Sequence, residues 1–292
     1  MSVVVITGSN SGIGLEATLA FARIGDTVIA SMRDSSKSGD LLARATAEDL
    51  DIRISSLDVS RSESFDAYFQ AISAEHGRID VLINNAGIHR AGAFEDVSEA
   101  DFRSVLETNC IGPLLLSRAV LPYMRKQRSG LIIMMSSLSG IAGLPGDLPY
   151  AASKFALEGA TESLRHEIDR WGIRVALVQA GMYKTGIMAQ NLPESSSLPD
   201  SYSADSPYRE LIEWQLRNLR ARMPEALDPA DVASLFVEIS KSDRSKLRWP
   251  ADALSEKVLA SMLAQNDSER DKFLRSVAGS DWWSQGDATA PE

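Results

Sequence analysis

Cysteine is almost missing: Cys110 is the single one among 292 residues. One thiol excludes an internal disulfide and a thiolate metal cluster, and it suits a reducing compartment. Histidine is scarce too. His76, His89 and His166 stand far apart without ligand spacing, so no metal site is expected. Basic residues are outnumbered, with 30 Lys and Arg against 40 Asp and Glu and a net charge of −10. That balance disfavours nucleic acid, whose phosphates reward basic surfaces. No apolar run approaches the roughly 20 residues of a bilayer span, and no basic stretch precedes the first apolar run. A cytoplasmic protein without a membrane span is the expectation. Repeats and a second domain are also lacking, so residues 1–278 read as one domain, followed by a tail at 279–292 with adjacent Trp282 and Trp283.

What the chain does have is alternation of short β-branched runs with helical segments, the pattern of an α/β doubly wound parallel sheet. Val3–Ile6, Thr27–Met32, Ile52–Ser55, Val81–Asn84, Leu131–Ser136 and Arg174–Gln179 read as strands of a sheet of about seven. Helices are expected over Ser62–His76, Asp101–Gln127 behind a capping box at Ser98, Tyr150–Trp171 and Glu210–Met223. Asp228-Pro229 marks a further helix start, a capping carboxylate before a first-turn proline. Residues 186–226 break the rhythm, and 182–226 read as a substrate lid.

Two motifs carry chemistry. The first strand feeds Thr7-Gly8-Ser9-Asn10-Ser11-Gly12-Ile13-Gly14 and then a helix. Strand, glycine turn and helix open a dinucleotide-binding unit, with the helix N-terminus offered to phosphates. Gly8 permits the turn, Gly12 admits a diphosphate, and Gly14 lets helix and strand pack closely. The second motif is Tyr150 with Lys154, four residues apart and so on one helical face. A phenol beside an ammonium is an acid-base group in the making, because the positive charge favours the phenolate. Taken alone, each motif also has an ordinary explanation: a common strand-to-helix turn, and a solvated helix face.

Together with Asn84-Asn85-Ala86-Gly87 after Val81–Ile83, Asn109 in Glu107-Thr108-Asn109, and Ser137 thirteen residues before Tyr150, these motifs resemble the short-chain dehydrogenase/reductase family over roughly residues 1–190. Ala180-Gly181 departs from the family's Pro-Gly, which leaves the shape of that loop in question. The resemblance implies hydride transfer between a nicotinamide and a carbonyl or alcohol. Tyr150 is then the general acid/base, Lys154 favours the phenolate and holds the nicotinamide ribose, and Ser137 orients the substrate oxygen. Asn109 holds a water linking Lys154 to solvent. Ser136 is an alternative to Ser137 at the wrong spacing, and Asn109 is alternatively a locally satisfied helix residue. Gly8 to Gly14, Asp58 and Val59, Asn85 to Gly87, Tyr150, Lys154, Gly181 and Thr185 would border the cofactor.

The acidic slot that would hold the ribose of NAD falls on Met32, followed by Arg33, whose guanidinium suits a 2′-phosphate. NADP(H) is therefore expected over NAD(H), unless Arg33 merely pairs with Asp34. Within the family the chain looks most like 17β-hydroxysteroid and retinol dehydrogenases, which implies a bulky lipophilic substrate. Leu144, Leu148, Met182, Tyr183, Met188 and Trp214 are the expected substrate wall, although Trp214 beside Leu211 equally suits a core. A ketoreductase of a smaller polar, sugar or polyketide substrate remains an alternative, as does a silent NADP(H)-sensing protein. Pairing through the long helix and the catalytic helix, with Phe155, Ala160 and Leu164 on its outer face or in the core, implies a homodimer or a tetramer.

Overall fold

The computed structural model describes residues 1–186, 202–242, 246–280 and 282. Seven parallel strands form its centre: β1 Val3–Thr7, β2 Thr27–Met32, β3 Ile52–Ser56, β4 Val81–Asn84, β5 Gly130–Met135, β6 Ile173–Gln179 and β7 Arg248–Pro250. Their order in the sheet is β3-β2-β1-β4-β5-β6-β7. This is the α/β Rossmann-type arrangement expected from the alternation.

Both faces of the sheet are covered, and the strands show it residue by residue. Val3 and Val5 of β1 join one apolar cluster, with Phe65, Phe69, Leu116, Val120 and Leu157. Val4 and Ile6 join the other, with Ala17, Phe21, Val232 and Phe236. Successive side chains alternate faces with period two, so a continuously apolar strand needs helices on both sides. The helices α1 (Gly12–Arg23), α2 (Gly39–Ala47) and α3 (Phe65–His76) follow the first three strands. Each fully buried Phe or Ile in these layers contributes about 1.5–3 kcal/mol.

The helix expected over Asp101–Gln127 is three pieces: α4 Glu99–Leu106, a π turn Glu107–Ile111, and α5 Gly112–Gln127. It starts two residues early because Ser98 Oγ accepts from the Asp101 amide at 3.0 Å. The extra residue of the π turn falls around Asn109, in the region expected to serve the site. Helix α6 spans Leu148–Ile168, α7 Arg209–Arg222, α8 Pro229–Lys241, α9 Ala253–Ala264 and α10 Asp267–Ala278. Asp228 caps α8 by accepting from the Ala230 amide at 2.9 Å. Residues 187–201 of the expected lid, Met188 among them, and most of the tail lie outside the described residues.

Trp282 is buried, with its ring 6.2 Å from that of Trp214. Trp214 donates from Nε1 to the Gly279 carbonyl at 2.8 Å, so α7 is tied to the end of α10. Among the described residues no helix is long and apolar enough to cross a membrane. No group of three or more His, Cys, Asp or Glu is arranged there to hold a metal.

Candidate active site

The sheet order places β4 next to β1, with β2 on the other side of β1. The chain therefore leaves β1 and β4 in opposite directions, and their carboxyl ends open a crevice. Asn85 and Ala86 fix this edge: both amides donate to Thr7 Oγ1 at 3.0 Å, and Asn85 Nδ2 donates to the Thr7 carbonyl at 2.9 Å. Gly8 has φ +70°, and a Cβ there would meet Ala86 Cα at 2.9 Å. A Cβ on Gly14 would sit 2.2 Å from the Gly8 carbonyl oxygen. Nothing larger than glycine lets α1 close on β1. Helix α1 begins after Ser11 with no side-chain cap, so its first-turn N–H groups and its positive dipole end await an anion.

Above this turn lies a cavity of about 780 Å³. Of the expected cofactor residues it is lined by Gly8, Asn10, Ser11, Gly12, Ile13, Arg33, Asp58, Val59, Asn85, Ala86, Gly87, Tyr150, Lys154, Gly181 and Thr185. A glycine floor, an uncapped helix start and basic residues at the far rim fit a dinucleotide. Two expected cofactor residues sit elsewhere. Ser9 turns inward, its hydroxyl donating to the Ile6 carbonyl at 2.8 Å, and Gly14 packs closely on the Gly8 carbonyl. Arg33 forms no ion pair among the described residues. Asp34 instead caps the next turn, accepting from the Ser36 amide and hydroxyl at 3.1 and 2.6 Å. Lys37, which sequence reasoning passed over, joins Arg33 at the rim.

The catalytic candidates meet at the cavity's middle. Helix α6 starts at Leu148 with Pro149 in its first turn, which puts Tyr150, half-buried, and Lys154, buried, on one face. Lys154 Nζ donates to the Met135 carbonyl at 2.7 Å and lies 5.5 Å from the Tyr150 ring centroid. Burial lowers the Lys154 pKa to about 8, with Cys110 and Glu158 pulling the other way. Burial and then the Asp147 charge push the Tyr150 phenol above its ordinary value, against a hydrogen bond with Ser137. In the absence of a bound cofactor these two causes favour the neutral phenol. Ser136 is buried, and its hydroxyl has no hydrogen-bond partner among the described residues. Asn109 is not satisfied locally: Oδ1 accepts from the Ile88 amide and Nδ2 donates to the Ile88 carbonyl, both at 2.8 Å. Nδ2 also donates to Ser153 Oγ at 3.2 Å, so this side chain clamps the loop after β4 against α6.

Ser137, Leu144, Met182 and Tyr183 line the same cavity. Tyr183 is mostly core, its hydroxyl donating to the Ala251 carbonyl at 3.1 Å and to Asp252 at 3.2 Å. Leu148 borders a smaller groove and is 40 % exposed. Trp214 does not line the cavity; its ring packs on Trp282, so α7 presents Ile212, Gln215 and Leu216 instead. Sequence reasoning missed His89, Ser139 and Asp147, also in the wall. Only their closeness in sequence to Asn85, Ser137 and Tyr150 hinted at them.

The family model described as short chain dehydrogenase matches residues 2–196. The chain belongs to the short-chain dehydrogenase/reductase family. It is 38% identical over 251 residues to "Uncharacterized oxidoreductase YusZ" of Bacillus subtilis, covering 85% of this chain and 88% of the relative. Identity to "Retinol dehydrogenase 8" of Bos taurus is 36% over 255 residues, 84% of this chain and 80% of the relative. Identity to "3-ketodihydrosphingosine reductase" of Bacteroides thetaiotaomicron is 37% over 219 residues, 74% and 77% of the two chains.

Among solved structures, a short-chain dehydrogenase from Streptomyces avermitilis superposes on this short-chain dehydrogenase/reductase with TM-score 0.77. It is 30% identical, over 96% of this chain and 98% of that one. A metagenomic oxidoreductase in complex with NADP gives TM-score 0.67 at 25% identity, over 85% and 96%. One from Burkholderia phymatum in complex with NAD gives 0.76 at 24%, over 90% and 92%, a likeness of fold. A short-chain dehydrogenase/reductase of this fold binds a nicotinamide cofactor and is an oxidoreductase.

Proposed function

We propose that this enzyme reduces the carbonyl of a bulky lipophilic ketone with NADPH, and oxidises the corresponding alcohol in reverse. The single observation that carries the reading is the meeting of Tyr150, Ser137 and Lys154 in the wall of one cavity, with the glycine turn and apolar side chains in the same wall. Burial and the Asp147 charge raise the phenol above its ordinary value, which favours its protonated form as the acid. When bound, the reduced nicotinamide supplies the hydride that reaches the carbonyl carbon. Ser137 and Tyr150 meet the negative charge that grows on the carbonyl oxygen, donors already in place where the charge develops. Tyr150 gives up its proton to that oxygen, so ketone becomes alcohol and phenol becomes phenolate. Lys154, carrying its charge just below pH 8, then stabilises the phenolate until a proton returns.

Arg33 and Lys37, both in the cavity wall, support NADP(H) over NAD(H), since the position at the end of β2 that would hold an acidic residue for NAD is Met32. Leu138, Leu144, Met182, Ile212 and Leu216 support an apolar substrate, as do the names of the retinol and ketodihydrosphingosine relatives. Ile111 and Phe155, each 42% exposed on neighbouring helical segments, support a homodimer.

The test is NADPH and NADH consumption with ketones from small to steroid-sized, Tyr150→Phe run alongside. NADPH-dependent turnover of a bulky ketone, reduced about 10³-fold in the variant with NADPH affinity retained, is the expected result. Undiminished turnover in Tyr150→Phe, or a preference for NADH, would overturn the respective part.

A further inference from the structure

Helix α7 supplies Ile212 and Leu216 to the cavity wall, yet its own sequence gives it little to hold on with. Of its 14 residues only Leu211, Ile212 and Leu216 are buried, four are arginines, and no side chain caps its first turn. An element with so few buried apolar contacts opens locally at little cost. One tie, from Trp214 to the Gly279 carbonyl, holds the middle of the helix. A second anchor lies at its start.

The residues leading into α7 grip the loop after β4. That loop ends in a short helical turn, Phe94–Asp96, which carries two adjacent carboxylates. Tyr202 Oη donates to Asp96 Oδ2 at 2.5 Å, and Ser206 Oγ donates to the same oxygen at 2.6 Å. Tyr208 Oη donates to Glu95 Oε1 at 2.8 Å. The Tyr202 hydroxyl also accepts from the Ala93 amide at 3.3 Å. The three carboxylate bonds join residues 106 to 113 positions apart, so none is local turn chemistry. Beneath them Ala93, Ile212 and Leu216 form one apolar cluster, with Tyr202 and Tyr208 packed on it. The loop itself is fixed to the site. Asn109 bonds both the amide and the carbonyl of Ile88, and the Gly92 amide donates to the Gly146 carbonyl at 3.0 Å. The place of α7 is thereby set from the same loops that border Ser137 and Tyr150.

We infer that Asp96 and Glu95 are positioning residues for the substrate: through Tyr202, Ser206 and Tyr208 they fix where Ile212 and Leu216 stand, and so the size of ketone the cavity accepts. The inference rests on the ketone-reductase reading and locates its size selection. None of the five clasp residues is in the wall of the main cavity, and Glu95 and Tyr208 border only the smaller groove. Their loss therefore acts on how a bulky substrate is held, and spares the cofactor and the hydride step. A contact of purely structural value would weaken the enzyme toward every substrate alike. Bonds to a carboxylate are stronger than bonds between neutral groups, which suits a clasp that must hold a polar helix.

The experiment uses NADPH with two ketones, 5α-androstan-17-one and cyclohexanone, in wild type, Asp96→Ala, Asp96→Asn and the double variant Tyr202→Phe/Tyr208→Phe. Hydrogen exchange of the backbone amides of α7 is read on the same proteins without substrate. In Asp96→Ala and in the double variant, exchange over Arg209–Arg222 should be about tenfold faster, with α5 and α6 unchanged. The KM for the steroid ketone should rise about tenfold with kcat within about threefold. The KM for cyclohexanone and the NADPH dissociation constant should stay within about twofold. Asp96→Asn keeps an acceptor oxygen in place, so exchange and KM should return to within about threefold of wild type. Unchanged exchange in α7, or an equal rise in KM for both ketones, overturns the inference. Should the wild type reduce neither ketone, the reductase reading fails, and exchange in α7 alone then upholds or overturns the clasp.

Discussion

Two consecutive turns of α6 treat buried charge in opposite ways. At Lys154 the ammonium is fully enclosed, donates to a main-chain carbonyl, and has no carboxylate within ion-pair distance among the described residues. One turn later Glu158 is enclosed too, but it is satisfied twice. Oε1 accepts from Gln179 Nε2 and Oε2 from Arg248 Nε, each at 2.9 Å. Arg248 reaches on to Glu162 at 2.8 Å. The consequences diverge accordingly. Lys154 is pushed down to about 8, whereas Arg248 ends above its ordinary value because the two carboxylates outweigh burial. The same helix stores electrostatic cost where chemistry is done and removes it where β7 must be held. Stability spent at one turn is recovered at the next, a common bargain at functional sites.

That contrast can be broken from either side, and Lys154→Met offers the largest effect. Turnover should fall about 10³-fold while the cofactor-free protein becomes more stable at pH 7. The folded protein releases the lysine proton near pH 8 and the unfolded chain near 10.5. Between those values the unfolded state binds more protons, so wild-type stability from this group rises with pH. The buried charge costs on the order of 3 kcal/mol at pH 7. Losing the donor to Met135 takes back about 1 kcal/mol. Urea denaturation at pH 7 should therefore favour the variant by roughly 2 kcal/mol, a gain that disappears before pH 10.5. A variant less stable than wild type at pH 7 would refute the picture.

Glu158→Gln should act in the opposite sense, lowering stability by about 2 kcal/mol while turnover stays within about threefold. Thermal melts and kinetics read both. The smallest effect belongs to Glu162→Gln. Glu162 is 55% exposed and shares Arg248 with a better-placed partner, so its loss should cost less than about 0.5 kcal/mol. A larger loss there than at Glu158 would reverse the ranking of the two contacts.

Much of this was legible from residues alone. β2 and β4 fell where β-branched runs placed them, and the glycine turn, Asn85, Ser137, Tyr150 and Lys154 meet around one cavity. These signals are local: periodicity, a helix start, a spacing of four. What escaped depends on partners far along the chain. β7 is three residues containing an arginine and ending in proline, tolerable because it is an edge strand, and no period marks it. The π turn around Asn109 has no compositional sign, and the asparagine's real partner, Ile88, is 21 residues away. Trp214 was ambiguous between wall and core until Trp282 was seen against it. His89 and Asp147 are unremarkable residues until folding joins them.

The tie between Trp214 and the end of α10 has a bearing on the cavity wall. Helix α7 shows one face to the cavity, through Ile212 and Leu216, and grips the Gly279 segment with another. The family match stops at residue 196, ahead of both. Gly279 and Trp282, remote in sequence from Ser137, Tyr150 and Lys154, are thus coupled through Trp214 to the helix that supplies part of the cavity wall.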